Sequence, residues 1–155
     1  MTPKDCVFCQ IVTKQAPANI VWEDKEHLAF LSIYPNTDGF TVVIPKKHYS
    51  SYIFAQDEKV ISELVIAAQK VAKKIDSAFE DVGRTGLVAE GMMVDHLHLK
   101  LIPLHGTTTD SWRPVVSSVD KFFDKYEGYI SSHNFKREDD EKLLKVAEKI
   151  RKSKT

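Results

Sequence analysis

The segment His96-Leu97-His98-Leu99-Lys100 sets three nitrogen-bearing side chains at alternate positions. Successive side chains of a β-strand point to opposite faces, so an extended conformation puts Val94, His96, His98 and Lys100 on one face. Leu97, Leu99 and Leu101 then share the other face, which belongs to the core. Alternate residues lie about 6–7 Å apart along a strand, close enough for two imidazoles and an ammonium to surround one phosphate group. Histidine suits attack on phosphorus, because an unperturbed pKa of about 6.5 leaves much of it unprotonated near neutral pH. A covalent step on the imidazole divides one displacement into two. The competing reading is a plain solvent-facing strand face, and His-x-His alone does not decide between them.

A second pair of reactive side chains stands at Cys6-x-x-Cys9. That spacing lets two thiolates take adjacent corners of a tetrahedral zinc, and a structural zinc needs four protein ligands. Two more must come from elsewhere in the chain. Among the six histidines, His48, in Pro45-Lys46-Lys47-His48-Tyr49, and His96 are candidates to complete a Cys2His2 site. Buried free thiols or a redox pair are the other readings, although the βαβ setting of thioredoxin-like chemistry is missing. A disulfide across so short a loop would add little stability in a reducing compartment.

The elements that must carry these residues show in the patterning. Strands are predicted over 20–23, 27–33, 40–44, 86–90 and 94–103, the first three separated by Asp24-Lys25-Glu26 and Pro35-Asn36-Thr37-Asp38-Gly39. Turns this short favour antiparallel pairing. A long helix opens at Asp57 as N-cap and carries Val60, Ile61, Leu64, Ala68, Val71, Ala72, Ile75 and Phe79 along one stripe. The charge-dense stretch 138–154, with Leu143, Leu144, Ala147 and Ile150 at helical spacing, predicts a C-terminal surface helix. Strands, long helix, strands, helix describe an α+β domain with an antiparallel sheet of about five strands.

Composition narrows the function classes. A chain of 155 residues suits one compact domain, and 43% apolar with 28% charged residues is ordinary for a soluble protein. Twenty-two basic residues balance 22 acidic ones, so no charge excess points to a nucleic-acid or membrane partner. The start of the chain lacks the apolar stretch of a signal peptide, and no apolar run nears the roughly 20 residues of a membrane span. A cytoplasmic protein is expected.

Four landmarks follow in order: Cys6-Val7-Phe8-Cys9-Gln10-Ile11-Val12; Trp22-Glu23-Asp24 with Ala29-Phe30-Leu31; Gly39 with Val42-Val43-Ile44-Pro45-Lys46-Lys47-His48-Tyr49; and His96-Leu97-His98-Leu99-Lys100-Leu101-Ile102-Pro103. Over roughly residues 5–105 this series resembles the histidine triad (HIT) family. The resemblance implies a compact α+β domain that usually forms a homodimer and binds nucleotides. It also implies cleavage of a phosphoanhydride or phosphoramidate bond through a nucleotidyl-histidine intermediate. On this reading residues 1–110 form a HIT-like nucleotide-binding domain, and 111–155 form a C-terminal extension packed on the same domain. His98 matches the nucleophile that attacks the α-phosphorus. Cys6, Cys9, His48 and His96 match the structural zinc ligands of zinc-containing relatives, and a zinc-bound imidazole cannot itself attack phosphorus. Four protein ligands leave no open position for a catalytic metal.

The pattern also departs from the family. Lys100 replaces the third histidine, and a lysine holds phosphate more readily than it shuttles protons at neutral pH; a surface lysine with no role is the alternative. Ser32 stands where many relatives have an aspartate for the ribose hydroxyls, Phe40 where many have a histidine, and Met92 where many have a glutamine near the phosphate. Losing the ribose carboxylate removes a charge-assisted hydrogen bond worth about 1.5–3 kcal/mol. Asn36 and Thr37 could supply other contacts, with turn chemistry as the plain alternative, and His105 could compensate for Lys100. Ser32, Asn36, Met92 and His105 are accordingly the candidate nucleotide contacts, with His98 and Lys100 the candidate catalytic pair. Trp112 is expected to pack on the core, while the aromatic segment containing Phe122, Phe123, Tyr126 and Tyr129 is a candidate pocket or dimer contact. The expected function is a nucleotide hydrolase or nucleotidyl transferase acting on a nucleoside phosphoramidate or a dinucleoside polyphosphate. A nucleotide-binding module with little turnover is the alternative that the replacements motivate.

Overall fold

A computed structural model describes residues 5–131 together with 136, 137, 139 and 141. The chain divides into two compact units, Met1–Arg113 and Pro114–Thr155. The first unit carries α1 (Val7–Val12), β1 (Ile20–Glu23), β2 (His27–Leu31), β3 (Thr41–Pro45), a single 3-10 turn at Ile53–Ala55, α2 (Glu58–Ala78), β4 (Thr85–Val88) and β5 (Leu99–Pro103). Its five strands form one sheet in the order β1-β2-β3-β5-β4, and every neighbouring pair is antiparallel.

Each face of the sheet is covered because each presents an apolar set at the strand period of two. On one face α2 starts at Asp57 as N-cap and lays Leu64, Ala67, Ala68, Val71 and Ile75 on Ala29, Val43, Leu97, Leu99 and Leu101. All of these helix residues but Ala67 belong to the stripe expected from helical spacing. On the other face Leu28, Phe30, Val42 and Ile44 pack with Ile11 and Phe8 of α1. All five residues of β3 are buried, as a central strand covered on both sides requires. Among the described residues no helix is long and apolar enough to cross a membrane.

The register aligns side chains across the sheet. Phe30 pairs with Val42, Val42 with Lys100 and Lys100 with Val88, so these four form one cross-strand row. Cross-strand partners point to the same face, which places Lys100 on the face that α1 covers.

Several expected boundaries move, each for a local reason. The last strand was expected over 94–103, but β5 begins only at Leu99. Gly91 (φ 69°) and Met93 (φ 75°) take left-handed conformations that break an extended run. The backbone N–H of His96 then bonds to the Val94 carbonyl, that of Leu97 bonds to Tyr49, and the Asp95 carboxylate accepts from the Ser51 N–H. The histidines therefore lie in an extended lead-in tied to the loop after β3. Strand β2 stops at Leu31 instead of residue 33, because the Ser32 hydroxyl accepts from the Tyr34 N–H and starts a turn. β3 and β4 each shift by one or two residues at their ends. Helix α1 was not expected at all: six residues show no helical period, and Cys6 makes no side-chain cap.

Trp112 does not pack on the core. It is 68% exposed, with the Arg84 guanidinium 5.9 Å from its ring centre. In the second unit residues 114–131 form neither helix nor strand, and Val115, Val116, Phe122, Tyr126, Tyr129 and Ile130 are exposed. The helix expected over 138–154 lies, apart from residues 139 and 141, outside the described residues.

Candidate metal centre and phosphate site

Three stretches far apart in sequence converge at one end of the sheet: the start of α1, the loop after β3 and the lead-in to β5. They bring together Cys6, Cys9, His48 and His96, whose ligand atoms all lie within 4.8 Å of one another. His96 Nδ1 is 3.5 Å from both Cys6 Sγ and Cys9 Sγ, and His48 Nδ1 is 3.3 Å from Cys9 Sγ. Zinc–sulfur bonds of about 2.3 Å and zinc–nitrogen bonds of about 2.0–2.1 Å give a tetrahedron with a sulfur–nitrogen edge of about 3.5 Å. The three sulfur–nitrogen separations of 3.3–3.5 Å match that edge. His96 Nε2–H donates to the Pro45 carbonyl at 2.9 Å, and since a carbonyl only accepts, the Nδ1 lone pair is left facing the thiols.

The electrostatics point the same way. Burial pushes the His96 pKa down to about 4, so its imidazole is neutral, as a ligand must be. Burial, and then the neighbouring Cys6, push the Cys9 thiol up to about 11. A Cys9 thiolate is unfavourable in this setting without a compensating cation, and a bound divalent ion reverses that preference. The neutral His96 imidazole, the paired sulfurs and three sulfur–nitrogen separations of 3.3–3.5 Å fit zinc.

His98 follows two residues later on the same face. It is only 4% exposed, its Nδ1–H donates to the His96 carbonyl at 2.8 Å, and the ring of Phe8 meets it edge-on at 5.6 Å. With Nδ1 carrying the proton, Nε2 keeps its lone pair. Burial lowers the pKa of this ring below the ordinary histidine value, which favours the neutral nucleophilic form. The polar face that could have been a solvent surface is instead a polar corner of a buried face.

Lys100 lies in the next row and is not a free surface lysine. Its side chain is 22% exposed, and its ammonium is ion-paired with the Glu90 carboxylate, whose side chain is 10% exposed. Burial holds Lys100 below the ordinary lysine range. Glu90 was not nominated from the sequence. Because Val88 is the direct partner of Lys100, Glu90, two residues beyond the end of β4, comes within reach of it, a relation readable only once the register is known.

The remaining nominated residues are scattered. Ser32 lies just past the end of β2, two positions beyond the Lys100 row, with its backbone N–H bonded to the Phe40 carbonyl. Asn36 is exposed in the turn between β2 and β3. Met92, about half-exposed, sits in the lead-in just before the histidines. The structure does not bring His105 to His98. It stands beyond the far end of β5, where Nδ1 bonds to Asp81 and Nε2 to the Asp38 carbonyl. Phe8, which touches both motif histidines, was missed because α1 itself was missed.

The sequence pattern of the HIT domain matches residues 13–107. An uncharacterised HIT-like protein of Methanocaldococcus jannaschii is 38% identical over 101 residues, spanning 63% of this chain and 78% of that one. The crystal structure of a HIT family protein from Bacillus anthracis superposes with a TM-score of 0.63 at 30% identity, covering 99% of this chain and all of the other. A zinc-bound histidine triad family protein from Mycobacterium smegmatis superposes with a TM-score of 0.62 at 28% identity over 72% of this chain and 84% of its own. With the five-stranded sheet, the landmark order and the HIT pattern over residues 13–107 in agreement, the chain belongs to the HIT family.

Proposed function

We propose that this protein is a nucleotide hydrolase or nucleotidyl transferase that opens a phosphoanhydride or phosphoramidate bond through a nucleotidyl intermediate on His98. The observation that carries the reading is the hydrogen bond from His98 Nδ1–H to the His96 carbonyl, which commits Nε2 to be the free nitrogen. Nε2 attacks the α-phosphorus and the bond from phosphorus to the leaving group breaks. Water, or another acceptor, then displaces the nucleotidyl group and returns the imidazole. Extra negative charge on the non-bridging oxygens calls for donors aimed in advance, and Lys100 is the nearest cation in the motif. Ser32 is assigned to the sugar side, Met92 to the phosphate side and Asn36 to either.

Zinc held by Cys6, Cys9, His48 and His96 would have a structural task. It would fix the lead-in that carries His98 and pin the start of α1 with Phe8 against it. Support comes from the fit of the four side chains and from the zinc-bound relative. A homodimer is part of the same reading, with a sedimentation mass of about twice the 17.6 kDa chain as its check.

The test is a panel of nucleoside phosphoramidates and dinucleoside polyphosphates followed by phosphorus NMR, wild type beside His98→Ala. Turnover by the wild type, a trapped nucleotidyl adduct, and loss of both in His98→Ala are expected. Equal turnover by the two proteins would sink the nucleophile assignment. A second reading, a nucleotide-binding module with little turnover, is favoured by the Lys100–Glu90 pair, which leaves the third motif position without an imidazole and partly neutralised. It gives binding without product in the same panel.

A further inference from the structure

We infer that Glu90 is a positioning residue for the reaction, holding the Lys100 ammonium beside His98 so that its remaining N–H donors face the phosphoryl group under attack. This rests on the reading of His98 as the nucleophile.

Geometry carries the inference. In the β4–β5 ladder Thr85 pairs with Pro103, Gly86 with Ile102, Leu87 with Leu101 and Val88 with Lys100. The ladder ends at Val88 and Lys100, and Glu90 and His98 follow just beyond it on the two chains, Glu90 two residues past Val88 and His98 two before Lys100. The alternation of faces agrees: Ala89 packs with the core under α2, so Glu90 turns to the face that holds His98 and Lys100. His98, Lys100 and Glu90 thus form a polar corner on a face whose other members include Phe30, Val42 and Ile44. A carboxylate and an ammonium partly withdrawn from water are costly unless paired, and here they pair with each other.

The pairing has a chemical consequence. An ammonium carries three N–H donors and no acceptor, so a contact with Glu90 leaves donors free. A lysine stem has four rotatable carbons and many rotamers; fixing the head on a carboxylate removes that freedom before substrate arrives. The carboxylate also offsets the lysine charge. The corner therefore meets an anionic substrate with directed donors and little net charge, and the advantage is largest where charge develops during attack. The third motif position is thus filled by two residues, one supplying the donors and the other fixing their direction.

The test uses adenosine 5′-phosphoramidate as substrate with wild type, Glu90→Gln, Glu90→Asp, Lys100→Gln and the double variant Glu90→Gln/Lys100→Gln. Glu90→Gln is expected to lower kcat about tenfold to a hundredfold with KM changed far less. Glu90→Asp should fall between it and the wild type. The double variant should be no slower than Lys100→Gln alone, because the carboxylate acts only through the lysine. A purely structural Glu90 would lower the melting temperature without the kcat-against-KM split and without the non-additivity. Wild-type kcat in Glu90→Gln, or losses that multiply in the double variant, overturns the inference. If Glu90→Gln does not fold, Glu90→Asp at wild-type kcat overturns it. A wild type that neither turns over nor forms an adduct overturns the parent reading, and this inference with it, before any variant is compared.

Discussion

At the residue scale, two histidines outside the metal cluster owe their states to backbone carbonyls. His98 gives its Nδ1 proton to His96 and keeps Nε2 free. His105 is held above its ordinary range first by the Asp38 carbonyl and then by Asp81, whose carboxyl is in turn held low first by His105. A histidine raised in the folded state contributes stability that is fully present below its unfolded value of about 6.5 and lost as pH rises through the folded value. The depressed Asp81 contributes above about pH 3.9 and loses that contribution as pH falls through its folded value. Thermal unfolding across pH should therefore show the gap between wild type and His105→Gln widest in mild acid and shrinking toward alkaline pH. A gap that stays constant would mean that His105 acts by packing on Phe79, 5.0 Å away, and not through charge. The candidacy of His98 was readable from alternation and landmark order, whereas its tautomer and the raised pKa of His105 depend on carbonyls 2 and 67 residues away in sequence.

At the element scale, β5 joins core and chemistry. Leu99 and Leu101 are buried against α2 while His98 and Lys100 occupy the opposite face. Leu99→Ala should cost about 2–5 kcal/mol in a urea titration, as deletions of buried leucine side chains do. Ile102→Ala, at a partly buried position on the other face, should cost clearly less. Equal losses would contradict the assignment of faces. The long helix announced itself through five buried residues at helical spacing. Helix α1, held in place by packing and by the cluster at its start, gave no such sign.

At the scale of the whole first unit, the end of the sheet nearest the histidines is closed by the Cys6, Cys9, His48 and His96 cluster. Protein purified without added metal is expected to contain about one zinc per chain by elemental analysis. Cys9→Ser should lose it and melt at a lower temperature, since a structural zinc contributes directly to folding free energy. Full zinc content in Cys9→Ser would remove Cys9 from the ligand set. Metal content intact with turnover lost would instead point to damage at His98, which separates the two sites experimentally.

By itself the sequence determined what repeats locally. Apolar runs bounded by turn residues marked five strands, period 3.6 marked α2, and the spacing of His96, His98 and Lys100 placed them on one face. Only the tertiary structure decided what those side chains meet. It brought His48 to Cys9 and His96 to Cys6 and Cys9, turned an expected strand over 94–98 into a tethered lead-in, carried His105 away from His98, and set Glu90 against Lys100. The physical reason is that periodicity fixes the direction of a side chain relative to its own backbone. Metal coordination, ion pairing and the choice of tautomer depend instead on distances between segments, which only the register of the sheet and the packing on its two faces supply.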